Sequence, residues 1–334
     1  LNLKKIADID ITTDRNLKID KNILTTDANE IIEDKDIDIV IELIGGLNPA
    51  KTFILNALKN GKHIITANKA LLAEYGQQIF NAAVSANKFI RFEASVCGGI
   101  PVLKALKESL AANRITSVYG IVNGTANYIL TQMSEYSKTF ADALREAQVR
   151  GFAEADPSFD IEGKDSAHKL AVLAMLAYGA PINFKDIYCE GITDLTPLDL
   201  KYAHMLDYEI KLLAIARWHN NNIDLRVHPT LLPKNSILAK TNFENNAIYI
   251  IGDYTGAQMF FGKGAGKLPT ASAVVGDIID IAQKIKANYS PAAETPIFYN
   301  KQPLAITPMF ALKTKYYLRF CVKDKMYVLA NIAK

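Results

Sequence analysis

Short β-branched runs alternate with longer amphipathic ones through residues 1–95. Residues 3–9 alternate apolar and polar positions, the pattern of a half-buried strand. Residues 37–44, Ile-Asp-Ile-Val-Ile-Glu-Leu-Ile, predict a second strand that ends at Gly45-Gly46. Residues 49–60 predict a helix, with Pro49 in its first turn and Asn60-Gly61 closing it. A short buried strand follows at 63–66, an amphipathic helix at 70–86 and a further strand at 89–93. Strands alternating with helices build βαβ units and a parallel sheet. Ligands bind such sheets at the carboxyl ends of the strands. Those ends carry Gly45-Gly46, Ala67-Asn68-Lys69 and Glu93-Ala-Ser-Val-Cys-Gly-Gly.

From residue 100 the periodicity changes. Helices are predicted at 101–111, twice within 127–150, and at 164–178, with a strand at 115–122. Beyond Pro197, residues 223–232, 247–252 and 258–262 alternate as antiparallel strands do. An α+β region with a mixed or antiparallel sheet accounts for this pattern. Residues 270–285 predict a helix, and 287–308, rich in Pro and Asn, an irregular connection.

Composition narrows the class. The 334 residues suffice for two domains, and 49% hydrophobic with 22% charged is an ordinary globular balance. A net charge of +3, evenly spread, argues against a nucleic-acid partner. No apolar run reaches the length of a membrane span. Cys97, Cys189 and Cys321 are odd in number and lack CxxC spacing, which disfavours a disulfide framework or zinc site and fits a reducing, cytoplasmic location.

The densest chemistry lies in Ala147-Gln-Val-Arg-Gly151-Phe-Ala-Glu154-Ala-Asp156-Pro157-Ser-Phe-Asp160-Ile-Glu162-Gly163-Lys-Asp165-Ser-Ala-His-Lys169. Four residues apart on a predicted helix, Asp165 and Lys169 share a face, about 5–6 Å apart at Cβ. A lysine held among carboxylates, near a glycine where a ligand can approach, can give and take a proton. A bare pair of this spacing also suits an exposed helix start. The added Glu154, Asp156, Asp160, Gly151 and Pro157 favour a site. The stretch resembles the homoserine dehydrogenase motif: Ala, three residues, Gly-aromatic-small, a gap, Asp-Pro, then Asp-Ile-x-Gly-x-Asp-x-x-x-Lys, with every fixed position filled.

Four other segments carry the same resemblance over nearly the whole chain. Ala67-Asn68-Lys69 looks like the family's Thr-Ala-Asn-Lys motif, and Asn123-Gly124-Thr125-Ala-Asn127-Tyr128-Ile129 like its Asn-Gly-Thr segment. Glu93-Ala-Ser-Val96-Cys-Gly98-Gly-Ile100 is similar to its monovalent-cation segment, and Gly262-Lys-Gly264-Ala-Gly266 to its Gly-x-Gly-Ala-Gly run. The resemblance implies interconversion of L-homoserine and L-aspartate 4-semialdehyde with NAD or NADP, in threonine and methionine biosynthesis. It makes Lys169 the acid/base. Lys69 holds the substrate beside the nicotinamide, contacting cofactor as well. Glu154 and Asp165 hold the amino group or hydroxyl, and Asp160 orients Lys169 or substrate. Asn123 and Thr125 either face homoserine or simply make a good turn. Gly151, Gly264 and Gly266 lie against the cofactor, as do Gly45 and Gly46. Glu93 with the carbonyls of Val96, Gly98 and Ile100 would hold Na+ or K+, hard oxygen ligands suiting an alkali ion. Cys97, beside two glycines, also reads as a candidate nucleophile.

The architecture so implied is α/β. A Rossmann-type parallel sheet occupies residues 1–97 plus 270–310, and an α+β substrate and dimerisation domain residues 98–269. No GxGxxG occurs in the first 45 residues, so residues 1–10 read as the second strand of the unit, the first βα unit being missing. Asp8 or Asp10 would then meet the adenosine ribose. Two acids there, with no basic residue from Ala7 until Arg15, tilt the cofactor towards NAD. Residues 315–334 look like a remnant of an ACT-like module. The expected partners are a small-molecule substrate and a second copy of the chain. The missing GxGxxG also leaves open a non-catalytic, amino-acid-binding or interaction subunit.

Overall fold

The computed structural model describes residues 1–219, 222–294, 298 and 302–334. Parallel pairing governs its first part. Strands β1 (Ile6–Ala7) and β2 (Leu24–Thr25) pair in parallel. After α1 (Asn29–Ile32) comes a three-stranded parallel sheet of β3 (Ile39–Glu42), β4 (His63–Thr66) and β5 (Ile90–Arg91), in that order. Helices α2 (Ala50–Lys59) and α3 (Lys69–Ser85) make the crossovers. Among the described residues no pairing joins the two sheets.

Two strands are shorter than their patterns predict. Of residues 3–9 only Ile6 and Ala7 pair, since Ile9 is 98% exposed and finds nothing to pack on. Of residues 89–93 only Ile90 and Arg91 pair. The chain then turns at Phe92, whose carbonyl accepts from the Ser95 hydroxyl at 2.6 Å.

A short helix α4 (Val102–Lys104), continued by a π-helical turn, leads to β6 (Ile115–Ile121). Helices α5 (Gly124–Tyr136), α6 (Phe140–Val149), α7 (Ser158–Ile161) and α8 (Lys164–Tyr178) follow. Then come β7 (Tyr188–Cys189), α9 (Pro197–Met205), β8 (Tyr208–His219), β9 (Asn222–Pro233), β10 (Asn245–Gly252) and β11 (Gly256–Lys263). Six strands form one sheet in the order β11-β10-β6-β8-β9-β7, antiparallel except for the β7–β9 pair. The pattern did not predict β8, because Ile210-Lys-Leu-Leu-Ala-Ile-Ala-Arg is built of good helix formers; pairing with β9 over its full length overrides that preference. Helix α8 is buried on nearly every side, with Leu170, Leu173 and Ala174 fully enclosed.

Helix α10 (Lys267–Lys286) returns to the parallel sheet, where Val274 and Ile281 pack on Ile65 of β4. Part of the 287–308 connection, residues 295–297 and 299–301, lies outside the described residues. Its end docks on β9, Ile223 N donating to Ala305 O at 2.9 Å. Residues 313–325 pair with no strand among the described residues. Arg319 and Tyr317 tie this segment to Asp199 at 2.6 and 2.9 Å, and α11 (Val328–Ile332) follows.

Candidate active site

Helix α8 begins at Gly163, whose φ of +83° lets the chain turn sharply out of α7. That start puts Asp165 in the first turn and Lys169 directly above it. Lys169 Nζ donates to Asp165 Oδ2 at 2.7 Å and to the carbonyl of Val122, at the end of β6, at 2.7 Å. Lys69, the first residue of α3, brings its ammonium to 3.3 Å from Asp165 Oδ1. One buried carboxylate therefore bridges two lysines delivered by different parts of the chain.

Asn123 completes the cluster. Its Oδ1 caps α5 by accepting from Ala126 N at 2.7 Å. Its Nδ2 is shared between Asp160 Oδ1 at 2.7 Å and Asp165 Oδ2 at 2.8 Å. The well-made turn and the site residue are one and the same, so the two readings of Asn123 do not compete. Thr125 donates to Phe152 O at 2.6 Å, tying α5 to the loop after α6.

Electrostatics follow from this packing. Burial pushes the Asp165 carboxyl up, but Lys169, Lys69 and Asn123 outweigh it and hold the group below its ordinary value. Burial pulls the Lys169 ammonium down, but Asp165 outweighs it, with smaller help from Asp160, and the net shift is upward. Lys169 is thus held protonated beside Asp165. Asp160 moves the other way: burial and the neighbouring Asp165 charge raise it, with Asn123 and Thr125 only partly opposing.

Glu154 is not joined to this cluster. It is exposed, and its carboxylate has no hydrogen-bond partner among the described residues. Gly151 ends α6 at φ +74°, and Gly45 and Gly46 follow β3 at +79° and +67°. At all three, nothing lies within 4 Å of where a Cβ would stand, open ground for a ligand to meet backbone. Gly266 starts α10 at φ +116°, beside a cleft of about 440 Å³ lined by Leu43, Thr270, Val274 and Val275. These features fit a dinucleotide lying from the end of β3 to the start of α10. Asp8 follows β1, half exposed, with Arg15 folded back to 3.2 Å from it.

The pattern did not single out Glu42. This buried carboxylate shapes the Gly45-Gly46 turn, accepting from Ile44 N at 2.8 Å, Gly45 N at 3.1 Å and the Thr66 hydroxyl at 2.5 Å. Its signal was an acid near the end of a β-branched strand. Glu93 is buried too and caps α4, accepting from Leu103 N at 2.9 Å and Lys104 N at 2.8 Å. Burial pushes it up to about 7, the state of a buried carboxylate short of positive charge, which a cation would relieve. Cys97 corrects a candidate role: at 1% exposure, with burial pushing its thiol up, it is no activated nucleophile.

A parallel-stranded nucleotide region beside a lysine–carboxylate pair defines a dinucleotide-dependent oxidoreductase. Residues 1–93 match the model of the homoserine dehydrogenase NAD-binding domain, and residues 101–279 that of the homoserine dehydrogenase catalytic region. The chain is 50% identical over 309 residues to homoserine dehydrogenase of Neisseria gonorrhoeae, covering 92% of this chain and 71% of that protein. It is 45% identical to that of Pseudomonas aeruginosa, covering 93% and 72%. The crystal structure of a homoserine dehydrogenase from Thiobacillus denitrificans superposes with a TM-score of 0.83 at 48% identity, covering 86% of this chain and 68% of that one. A hyperthermophilic archaeal homoserine dehydrogenase in complex with NADPH is also similar, with a TM-score of 0.69 at 29% identity over 78% and 76%. The chain belongs to the homoserine dehydrogenase family.

Proposed function

We propose that Lys169 is the group that moves the proton in the reversible oxidation of L-homoserine to L-aspartate 4-semialdehyde. The carrying observation is the Asp165 carboxylate bridged by Lys169 at 2.7 Å and Lys69 at 3.3 Å. The nicotinamide, when bound, exchanges hydride with the substrate C4. In the reducing direction Lys169 Nζ donates its proton to the carbonyl oxygen. In the oxidising direction the neutral amine takes the hydroxyl proton, so Lys169 must first lose its own. Lys69 positions the substrate oxygen or carboxylate. Asp165 and Asp160, steered by Asn123, take the amino group, with Thr125 beside Asp160; Glu154 stands apart from them. Gly45, Gly46, Gly151, Gly264, Gly266 and Lys69 meet the cofactor, and Asp8 its ribose.

The division into a nucleotide domain at 1–97 plus 270–310, a substrate domain at 98–269 and an ACT-like remnant at 315–334 belongs to the same reading. So does a Na+ or K+ ion on Glu93 and the carbonyls of Val96, Gly98 and Ile100, since hard oxygens suit an alkali ion. A homodimer through the six-stranded sheet belongs to the same reading. Among the described residues no helix is long and apolar enough to cross a membrane. A cytoplasmic enzyme belongs to the same reading. The test is Lys169→Ala. Homoserine-dependent reduction of NAD or NADP falls on the order of 1000-fold in kcat with the protein still folded. Near-normal turnover would overturn the assignment.

A further inference from the structure

Asn246, the second residue of β10, has no role in the account above. It is 1% exposed. Its Nδ2 donates to Cys97 Sγ at 3.2 Å, while its Oδ1 is buried without a hydrogen-bond partner among the described residues. The carboxamide is pressed against the backbone of Gly264, where a Cβ would stand 1.9 Å from Asn246 Nδ2. One side chain thus touches both the 96–100 turn and the glycine run before α10. These two segments also meet directly, Gly99 N donating to Lys263 O at 3.2 Å. On its other side the Cys97 thiol lies within electrostatic reach of Lys169 and Asp165.

The segment carrying Asn246 is braced from α5 and β8. Asn127 Nδ2 donates to the carbonyls of Thr241, Phe243 and Asn245 at 3.0, 2.8 and 3.2 Å. The buried Lys211 ammonium donates to Thr241 O at 2.7 Å. Gly124 fits only because it has no Cβ, which would stand 2.7 Å from Glu244 O. The backbone leading into Asn246 therefore cannot shift without breaking buried hydrogen bonds. Burying a polar atom unpaired is costly, so keeping Oδ1 there asks for a reason.

We propose that Asn246 is a positioning residue: its carboxamide fixes the glycine run at 264–266 relative to the Lys169–Asp165 pair, and so sets how far the nicotinamide stands from the substrate carbon. This rests on the reading that the glycine run meets the nicotinamide. The reacting atoms must approach within about 3–3.5 Å, and a misplacement of about 1 Å costs on the order of 100-fold in rate.

Two measurements on the full chain test it. Asn246→Ala lowers kcat on the order of 100-fold, leaves the homoserine KM unchanged, and raises the primary isotope effect on kcat with homoserine deuterated at C4. Loss of folded enzyme alone would lower the rate and leave the isotope effect where it was. Asn246→Ser, which keeps a hydroxyl for the thiol, shows the same shift to a smaller degree, and stands in if the alanine variant does not fold. The second measurement needs no turnover. Gly264→Ala melts below the wild type, and adding Asn246→Ala brings the melting temperature back to that of Asn246→Ala alone. An unchanged isotope effect in a folded variant, or Gly264→Ala melting with the wild type, overturns the proposal. Absence of homoserine-dependent reduction in the wild-type chain counts instead against the reading of the site, and the melting pair still decides the contact.

Discussion

Asp165 and Asp8 are both assigned to ligand handling, and they sit in opposite settings. Asp165 is buried, and its two oxygens meet Lys69, Lys169 and Asn123. The Asp8 side chain is half exposed and, among the described residues, meets a surface arginine and its own loop. The difference runs through both halves of the molecule. The Lys169–Asp165–Lys69 cluster is enclosed by α8, α5 and the end of β6. The nucleotide side presents glycines facing open ground and two separate parallel sheets. Acid/base chemistry needs groups held within hydrogen-bond reach, where reorganisation is already complete. A dinucleotide needs room for its backbone contacts, which packed side chains would take away.

The contrast breaks first at Asp165. Asp165→Ala leaves the Lys169 ammonium buried beside a lone carbonyl, which costs about 3–5 kcal/mol of stability, read as a large drop in melting temperature together with loss of turnover. A variant that melts with the wild type would mean the cluster is not buried as described.

Acid acts next, and in both halves. His168, wedged between Phe159 and Phe184, is held neutral by burial, down to about 4 from 6.5. His63, whose Nδ1 accepts from Phe89 N at 2.9 Å, is lowered by burial to about 4 as well. Each folded value lies below its unfolded one, so this stability is present above pH 6.5 and lost as pH falls towards 4. His168→Phe, measured by melting across that window, shows a shallower acid decline than the wild type. An identical decline would show that His168 titrates freely.

Glu42 gives the smaller effect on the cofactor side. Glu42→Ala strips the acceptor from two backbone amides and a hydroxyl in the Gly45-Gly46 turn. It raises the cofactor KM about tenfold, roughly 1.4 kcal/mol, and leaves the homoserine KM alone. A change in the homoserine KM instead would place the turn on the substrate side. Smallest is Asp8→Ala, which moves stability by less than about 0.5 kcal/mol, since exposed pairs contribute little. A shift comparable to that of Asp165→Ala would erase the contrast.

The sequence made the catalytic half far easier to read than the cofactor half, for physical reasons. Helix α8 was bounded correctly because apolar periodicity and Gly163 mark it, and its spacing put Asp165 under Lys169. The Asn123 cap could be read from Asn-Gly-Thr, but not that its other end would join Asp160 to Asp165. That meeting, and the arrival of Lys69, depend on packing between elements far apart in the chain. Strand β8 was missed because local propensity favoured helix until β9 paired with it. Glu42 and Asn246 were missed because each acts through backbone or glycine contacts that no spacing rule encodes. Glu154 carried weight in the motif, and the fold leaves it exposed and unpaired.

Lys169, held protonated by Asp165, is the proposed mover of the proton. The direct measurement is the pH dependence of kcat/KM for homoserine oxidation in the wild type and in Lys169→Ala. Because the lysine is raised above its ordinary value of 10.5, the wild-type rate rises about tenfold per pH unit through the neutral and alkaline range as the neutral amine forms. Lys169→Ala loses that limb, and an added small primary amine restores part of the rate. An equally steep limb in folded Lys169→Ala, unmoved by added amine, would contradict the claim.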